Sequence, residues 1–161
     1  MTGNAKFILG EYQRTLDERF RLSIPTEMSD VLTSESNVCI LAKERPGCLS
    51  LWDASQWDEK MKEGIELIEK KMHAGRLEGR IDEVQMLGRL LSTRHKSISL
   101  AGRGRLVIPE GFRSFLGVEP GEEVTIVGAA VCVELWHPTH WLNYLEGRMP
   151  EFRQIFDQLS Q

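Results

Sequence analysis

The chain has 161 residues, of which 41% are hydrophobic and 27% charged, and its formal net charge is −4 at pH 7. These proportions are typical of a soluble globular protein, and no apolar run approaches the length of a membrane-spanning helix. The amino terminus has no basic segment followed by an apolar one, so we expect no export signal. Three widely spaced cysteines argue against a disulfide framework. We therefore expect a cytoplasmic protein without a membrane partner.

One segment of the sequence is repeated later in the chain. Residues 16–57 align without a gap with residues 100–141, and 12 of the 42 aligned positions are identical. Chance would give about two or three identities. The matched pairs include Arg19/Arg103, Arg21/Arg105, Leu22/Leu106, Ile24/Ile108, Pro25/Pro109, Cys48/Cys132, Trp52/Trp136 and Trp57/Trp141. This is a duplication, so the chain carries two copies of one functional surface.

Each copy predicts the same order of elements. An extended segment (residues 11–16 and 95–100) leads through an arginine-bearing turn into a short apolar strand (residues 22–25 and 106–109). Pro25 and Pro109 end that strand and suit the start of a helix. Apolar residues three and four apart predict helices over 26–32 and 110–116. Further strands are predicted over 123–127 in the second copy and over 48–52 and 132–136 at the close of each copy.

Helical periodicity fills the rest of the chain. Apolar residues predict an amphipathic helix over 57–72, a second over 77–91, a third over 141–148, and a final piece after Pro150. The resulting division is a first repeat over 8–57, connecting helices over 58–93, a second repeat over 94–141 and a carboxy-terminal helical segment over 142–161. The fold class is α+β.

A single repeat has too little interior to be stable alone, because it holds about four short strands and one short helix. We therefore expect the two copies to pair within one chain around a pseudo-two-fold axis. A function built on the arginine turn is then present twice in each subunit.

The arginine turns concentrate positive charge in an acidic chain. Residues 14–21 hold three arginines against two acids, a formal +1, and residues 94–105 hold three arginines and a lysine, a formal +4, so the remainder of the chain carries −9. Such segregation indicates a polyanion site, and the planar arginine fork suits phosphate oxygens and guanine edges. Gly102 and Gly104 would let the second turn approach a ligand closely. The alternative is ordinary solvated surface charge, against which the repetition in register argues.

The sequence also resembles a known family. Residues 103–127 resemble the AbrB-like swapped-hairpin DNA-binding module, and the tandem arrangement, with residues 10–13 and the strand–tryptophan segments, resembles the MraZ family. Members of that family regulate transcription of the bacterial division and cell-wall gene cluster. The resemblance implies two tandem β-β-α-β-β units paired into one β-barrel-like domain, and a ring-shaped homo-oligomer. It also implies double-stranded promoter DNA with repeated boxes as the partner, and association with the nucleoid.

The resemblance also names the contact residues. The family's turn reads Asp-x-x-Gly-Arg, and its arginines contact DNA. This motif is matched here by Asp17 with Arg21 and by Gly104 with Arg105, while Arg19 and Arg103 lie beside them; these six residues are the predicted DNA-binding set.

Two positions of the turns depart from that pattern, since Phe20 replaces the glycine and Ala101 replaces the aspartate. A positive φ is costly for phenylalanine. We therefore expect either a differently shaped first turn or an apolar wedge against a neighbouring subunit or DNA.

Other chemistry has weaker support in the sequence. Cys132, His137 and His140 could supply three metal ligands, but a fourth is missing and a helix start explains the histidines, so we expect no metal. No nucleophile–histidine pairing or phosphate-binding loop is present, so we expect neither an enzyme nor a cofactor. Two alternatives stay open: an antitoxin-type protein-interaction module using the tail from Glu151, and an enzyme, because related duplicated barrels include decarboxylases.

Overall fold

The computed structural model describes residues 7–161; residues 1–6, where the expectation about an export signal begins, lie outside the described residues. In each copy a short helix lies between two pairs of strands, and the strands pair antiparallel, in agreement with the α+β prediction. The elements are β1 (Glu11–Thr15), β2 (Arg21–Ser23), α1 (Thr26–Leu32), β3 (Val38–Arg45), β4 (Cys48–Asp53), α2 (Ala54–His73), α3 (Ile81–Thr93), β5 (His95–Ser99), β6 (Arg105–Val107), α4 (Glu110–Leu116), β7 (Glu123–Gly128), β8 (Val133–Trp136), α5 (Pro138–Arg148) and α6 (Phe152–Leu159), with 3₁₀ turns at Glu78–Arg80, Gly102–Gly104 and Met149–Glu151.

Six strands form one antiparallel sheet in the order β1-β7-β8-β4-β3-β5. The first strand of each copy pairs with the other copy, since β1 lies beside β7 and β5 beside β3. The centre of the sheet joins the copies through β4 and β8, where Ser50 lies opposite Glu134. Because backbone hydrogen bonds cross between the copies at these three pairings, neither copy has a complete sheet without the other.

The two remaining strands, β2 and β6, form a separate antiparallel ribbon. Leu22 lies opposite Leu106, and both side chains are buried. The alternate positions Arg21, Ser23, Arg105 and Val107 are exposed, as the period of two in a strand requires. The strand pairing thus gives an open sheet and a ribbon, and a barrel-like arrangement around a pseudo-two-fold stays a prediction.

One hydrophobic core serves both copies. It joins Leu22 and Leu106 beneath the ribbon to side chains of the large sheet and to the inner faces of α1 and α4. Met28 and Leu32 of α1 and Phe112 and Leu116 of α4 are buried, at the three-to-four-residue spacing that predicted these helices. Burying a side chain of this size contributes roughly 1.5–3 kcal/mol. The core therefore holds the ribbon, and with it both arginine turns, against the sheet.

The cysteines are buried, as expected for small apolar side chains, with Cys39 in this core and Cys48 in a smaller cluster with Trp136 and Trp141. All three are buried and free of disulfides. Loss of solvent raises the pKa of the Cys39 thiol to about 11 and that of Cys132 to about 12, and it raises the pKa of Cys48 further in the same direction. These thiols therefore stay protonated and unreactive near neutral pH.

The long helices leave apolar surface exposed. The predicted helix over 57–72 is confirmed as α2, and the one over 77–91 as the 3₁₀ turn plus α3. Residues of α3 and α6 with exposed apolar side chains include Ile81, Met86, Leu90, Phe152, Phe156 and Leu159. In the described part of the chain, each helix falls short of the length or the apolarity that crossing a membrane requires.

Candidate nucleic-acid interface

The two arginine turns are closed and anchored by equivalent hydrogen bonds. The N–H of Asp17 donates to the carbonyl of Arg21 (3.1 Å), and the N–H of Ala101 donates to that of Arg105 (2.8 Å). Each turn is also tied to the strand of the other copy. Ile108 N–H donates to the carbonyl of Phe20 (2.8 Å), and at the matching place Ile24 N–H donates to that of Gly104 (2.9 Å). The copies therefore hold each other's turns in position.

Asp17 organises the first turn. Its Oδ1 accepts hydrogen bonds from the backbone N–H groups of Arg19 (2.9 Å) and Arg21 (2.8 Å), and its Oδ2 accepts one from the Arg21 Nε (2.7 Å). These bonds, chiefly the one from the Arg21 backbone, hold the pKa of Asp17 below its ordinary value. Asp17 thus stays ionised and fixes the direction of the Arg21 guanidinium.

The second turn lacks this control, because the methyl group of Ala101 can accept no hydrogen bond. Among the described residues, the guanidinium of neither Arg103 nor Arg105 has an ion-pair or hydrogen-bond partner, and both side chains are exposed. Their charge is therefore available to a ligand, whereas that of Arg21 is partly offset.

Phe20 adopts the conformation that its glycine counterpart adopts. Its φ is +59°, against +70° for Gly104. A left-handed backbone costs a side-chain-bearing residue about 1 kcal/mol. The turns differ instead one residue earlier, where Arg103 has φ +64° and Arg19 keeps a negative φ. The expected change of shape is present, but it falls on the arginine position rather than on Phe20.

The ring of Phe20 packs inside its own subunit. It lies partly buried against the hydrophobic core, with the guanidinium carbon of Arg113 4.1 Å from its centroid. The ring is therefore engaged within its own subunit, and a wedge directed at a neighbouring subunit or DNA stays a prediction. The apolar ring gains more from the core than from solvent.

Gly104 is buried against the first copy. A Cβ at this position would lie 2.8 Å from the Ile24 carbonyl oxygen and 2.9 Å from the Ser29 Oγ. By contrast, a Cβ at Gly102 would meet open space. Gly104 therefore serves the packing of the turn itself, and its place in the predicted DNA-binding set is indirect.

The ribbon and β1 form a groove of about 230 Å³. Its lining residues are Arg14, Thr15, Asp17, Arg21, Leu22, Ser23 and Arg105. Arg21 and Arg105 enter it from opposite strands, because the ribbon register sets Ser23 opposite Arg105 and Val107 opposite Arg21. Residues on such a diagonal lie roughly 7–8 Å apart. The two arginines that the duplication singles out therefore meet at one surface, while Arg19 and Arg103 lie outside the groove lining.

Arg14 is a groove residue that the sequence placed in the first arginine turn but not in the predicted DNA-binding set. Its guanidinium carbon lies 5.3 Å from the centre of the Tyr12 ring, and its side chain lines the groove beside Arg21 and Arg105. The sequence signal was only its charge, because its counterpart in the second copy is Ile98. Three guanidinium groups facing one carboxylate give the groove a positive potential.

The other surfaces offer less to a polyanion. A larger groove of about 520 Å³ beside α2 and α3 is lined in part by Asp58, Glu66 and Glu69, which would repel one. Nowhere in the described residues do three histidine, cysteine or carboxylate side chains come together as a metal site. His137 instead begins α5, with its Nδ1 accepting the Thr139 N–H at 3.1 Å.

The structure defines a duplicated α+β protein whose copies exchange strands and present arginines on a shared ribbon. The profile of the MraZ family, described as "MraZ protein, putative antitoxin-like", matches residues 7–76 and 94–160. The chain belongs to the MraZ family.

Individual relatives match over most of their length. The chain is 31% identical over 137 residues (85% of each chain) to the "Transcriptional regulator MraZ" of Roseiflexus castenholzii. It is 27% identical over 151 residues (94% of this chain, 95% of the relative) to the protein of that name from Syntrophomonas wolfei subsp. wolfei. The protein of that name from Tolumonas auensis is 31% identical over 140 residues (85% and 84%). These relatives are named as regulators of transcription, not as enzymes.

Proposed function

We propose that the chain is a sequence-specific DNA-binding regulator of transcription that reads repeated promoter boxes with its arginine turns. The observation that carries the proposal is the groove in which Arg14, Arg21 and Arg105 converge on the exposed face of the ribbon. A two-stranded ribbon fits the major groove of B-DNA, and arginine can donate two parallel hydrogen bonds to guanine. The names of the relatives support the same function.

The six predicted residues take different roles in this proposal. Arg21 and Arg105, on the face of the ribbon, contact base edges. Arg19 and Arg103, at the exposed tips, contact phosphates and so set the register of the protein on DNA. Asp17 orients Arg21, and Gly104 allows the second turn to pack.

The proposal includes a pseudo-two-fold axis through the ribbon and the sheet, giving a barrel-like domain from repeats over 8–57 and 94–141. Its support is the register of β2 with β6 and of β4 with β8. Leu22 lies opposite its own counterpart Leu106, and Ser50 opposite its own counterpart Glu134, with the flanking residues paired symmetrically about these positions. The connecting helices over 58–93 and the segment over 142–161 lie outside the repeats. Under this arrangement one subunit presents two related arginine turns to DNA, one from each copy.

We also propose a ring-shaped homo-oligomer. Its support is the exposed apolar surface of α3 and α6, including Met86, Phe152 and Phe156. Large exposed apolar patches mark interaction surfaces. Several ribbons on one ring would bind repeated boxes with a high effective concentration after the first contact. Such a protein would lie on the nucleoid in the cytoplasm.

The direct test is a footprint on the DNA upstream of the protein's own gene. Protected boxes repeated in one orientation, with binding that weakens steeply as salt rises, are expected because arginine–phosphate contacts release counterions. Uniform protection without boxes, or an affinity indifferent to salt, would contradict the proposal.

A second candidate function has a specific observation behind it. The exposed side chains of Phe152, Phe156 and Leu159 on α6 would suit an antitoxin-type contact with a protein partner, in keeping with the family's description. A chain ending at Met149 separates the two functions. On DNA that carries a single box, which one ribbon can read without a ring, binding by this shortened chain equal to the parent's favours the regulator. Loss of a co-purifying partner, with no DNA binding by either chain, favours the interaction module.

A further inference from the structure

A three-residue contact supports the first turn from the second copy. The guanidinium carbon of Arg113, on α4, lies 4.1 Å from the centre of the Phe20 ring. Its Nε donates to the carbonyl of Ile108 at 2.9 Å, and the N–H of Ile108 donates to the carbonyl of Phe20 at 2.8 Å. Phe20, Ile108 and Arg113 therefore close a loop of contacts that holds the left-handed residue from both its backbone and its ring.

The second turn has the same three positions filled differently. Gly104, Ile24 and Ser29 are the counterparts of Phe20, Ile108 and Arg113, each 84 positions away. Ile24 N–H donates to the carbonyl of Gly104 at 2.9 Å, and Ser29 is buried so close that a Cβ at Gly104 would lie 2.9 Å from its Oγ. Ser29, a small residue of α1, thus faces Gly104 in the second turn. Arg113, a long planar residue of α4, faces Phe20 in the first turn.

We propose that Arg113 is a positioning residue for the first DNA-binding turn, matched to Phe20 as Ser29 is matched to Gly104. The proposal rests on the proposed DNA-binding function. Arg113 compensates for the loss of the glycine by stacking on the ring that replaced it. The stack keeps Phe20 left-handed, and the following residue, Arg21, keeps its place in the groove.

Arg113 acts on DNA only through Phe20. Its guanidinium is half-buried and engaged by the ring and by the Ile108 carbonyl, and its side chain does not line the groove. Loss of Arg113 should therefore lower affinity without lowering the slope of log affinity against log salt, which counts phosphate contacts.

The test replaces the Phe20–Arg113 pair of the first turn with glycine and serine, the residues of the Gly104–Ser29 pair at the second turn. Arg113→Ser is expected to lower affinity for promoter DNA about threefold to tenfold, the range of a partly buried cation–π contact. Phe20→Gly should bind within about twofold of the parent, because glycine adopts the left-handed conformation without support from Arg113. The double variant F20G/R113S recreates the Gly104–Ser29 pair and should bind within about twofold of the parent. Arg76→Ser, on an exposed arginine outside the repeats, is the matched control for lost charge and should bind as the parent does. A double variant whose loss equals the product of the single losses would overturn the pairing.

Arg113→Lys separates stacking from charge. Lysine keeps the cation, and with it part of the cation–π contact, but lacks the planar fork and the Nε that donates to the Ile108 carbonyl. Its affinity for DNA should therefore lie between that of Arg113→Ser and that of the parent. Binding equal to that of the parent would show that neither the planar stack nor this hydrogen bond is needed, and the positioning role argued from them would be wrong.

Limited trypsin digestion tests the conformation of the first turn in the absence of DNA. In Arg113→Ser, cleavage after Arg19 and Arg21 should accelerate severalfold, while cleavage after Arg103 and Arg105 in the same molecule keeps the parent's rate. Equal acceleration at both turns would mean general loosening and would overturn the proposal. If the parent itself fails to bind DNA, the proposed function fails, and the digestion still decides the positioning role.

Discussion

At the scale of single residues, the two turns differ most at one pair of equivalent positions. Asp17 accepts three hydrogen bonds in the first turn, two from backbone N–H groups and one from the Arg21 guanidinium, while Ala101 offers no acceptor in the second. The first turn therefore presents an arginine whose direction is fixed and whose positive charge is partly offset by the Asp17 carboxylate. The second presents Arg105 as an uncompensated cation. We expect Arg21→Ala to weaken DNA binding less than Arg105→Ala does.

The ionised Asp17 carboxylate makes the stability of the protein depend on pH. Because the pKa of Asp17 is lowered in the folded state, its contribution is present above the unfolded value of about 4 and is lost as the pH falls through the lower, folded value. Urea unfolding at pH 7 and pH 3 is the measurement. We expect Asp17→Asn to be less stable than the parent at pH 7, with the difference narrowing at pH 3. The same difference at both pH values would contradict this role of Asp17.

Arg14 tests whether the groove itself binds DNA. Arg14→Ala removes one of three guanidinium groups that line it, so affinity should fall and the slope of log affinity against log salt should decrease by about one for each site engaged. Fluorescence anisotropy across a salt series measures both quantities. Arg76→Ala is the control. An unchanged slope and affinity would place the DNA contact outside the groove.

At the scale of elements, the two glycines of the second turn make a matched pair of probes. Gly104→Ala places a Cβ 2.8 Å from the Ile24 carbonyl oxygen at a φ of +70°, so it should destabilise the protein by about 1–3 kcal/mol. Gly102→Ala meets open space and should change stability little. Chemical denaturation of both variants measures the difference. Equal effects of the two substitutions would show that the close packing of Gly104 against Ser29 does not matter.

Local sequence determined most elements but few of their partners. Helices α1 and α4 have the predicted bounds because Pro25 and Pro109 set their starts and apolar residues every three to four positions set their faces. The pairing of β1 with β7 was not predictable as such, because many short apolar strands in the chain could pair with one another. Local periodicity carries no record of which strand lies next to which.

The residues of the candidate site, too, were predicted only in part from the sequence. Arg21 and Arg105 were predicted from the repeated motif, and the ribbon brings both to one groove. Arg14 and Arg113 were absent from the predicted DNA-binding set, since each reaches its place through contacts between β1, the ribbon and α4. The positive φ of Phe20 was also not predictable from the sequence. The intrinsic preference of phenylalanine for negative φ is outweighed here by burial of its ring and by hydrogen bonding of its carbonyl.

At the scale of the whole molecule, exchanged strands and exposed helices have different consequences. The exchanged strands bind the two copies into one unit, while the exposed apolar residues of α3 and α6 favour self-association. We expect multi-angle light scattering to give a mass of several subunits at micromolar concentration, in the parent and in Arg105→Ala alike. A monomer in both would remove the ring and the avidity that the proposed function draws from it.

The proposed DNA binding depends most directly on Arg105, the uncompensated arginine of the ribbon. Affinity of Arg105→Ala for the promoter DNA of the protein's own gene, measured beside the parent and Arg76→Ala at one salt concentration, is the decisive quantity. We predict that Arg105→Ala loses specific binding, with its oligomer and its unfolding midpoint unchanged, while Arg76→Ala binds as the parent does. Binding of Arg105→Ala as tight as that of the parent would contradict the assignment of this surface to DNA.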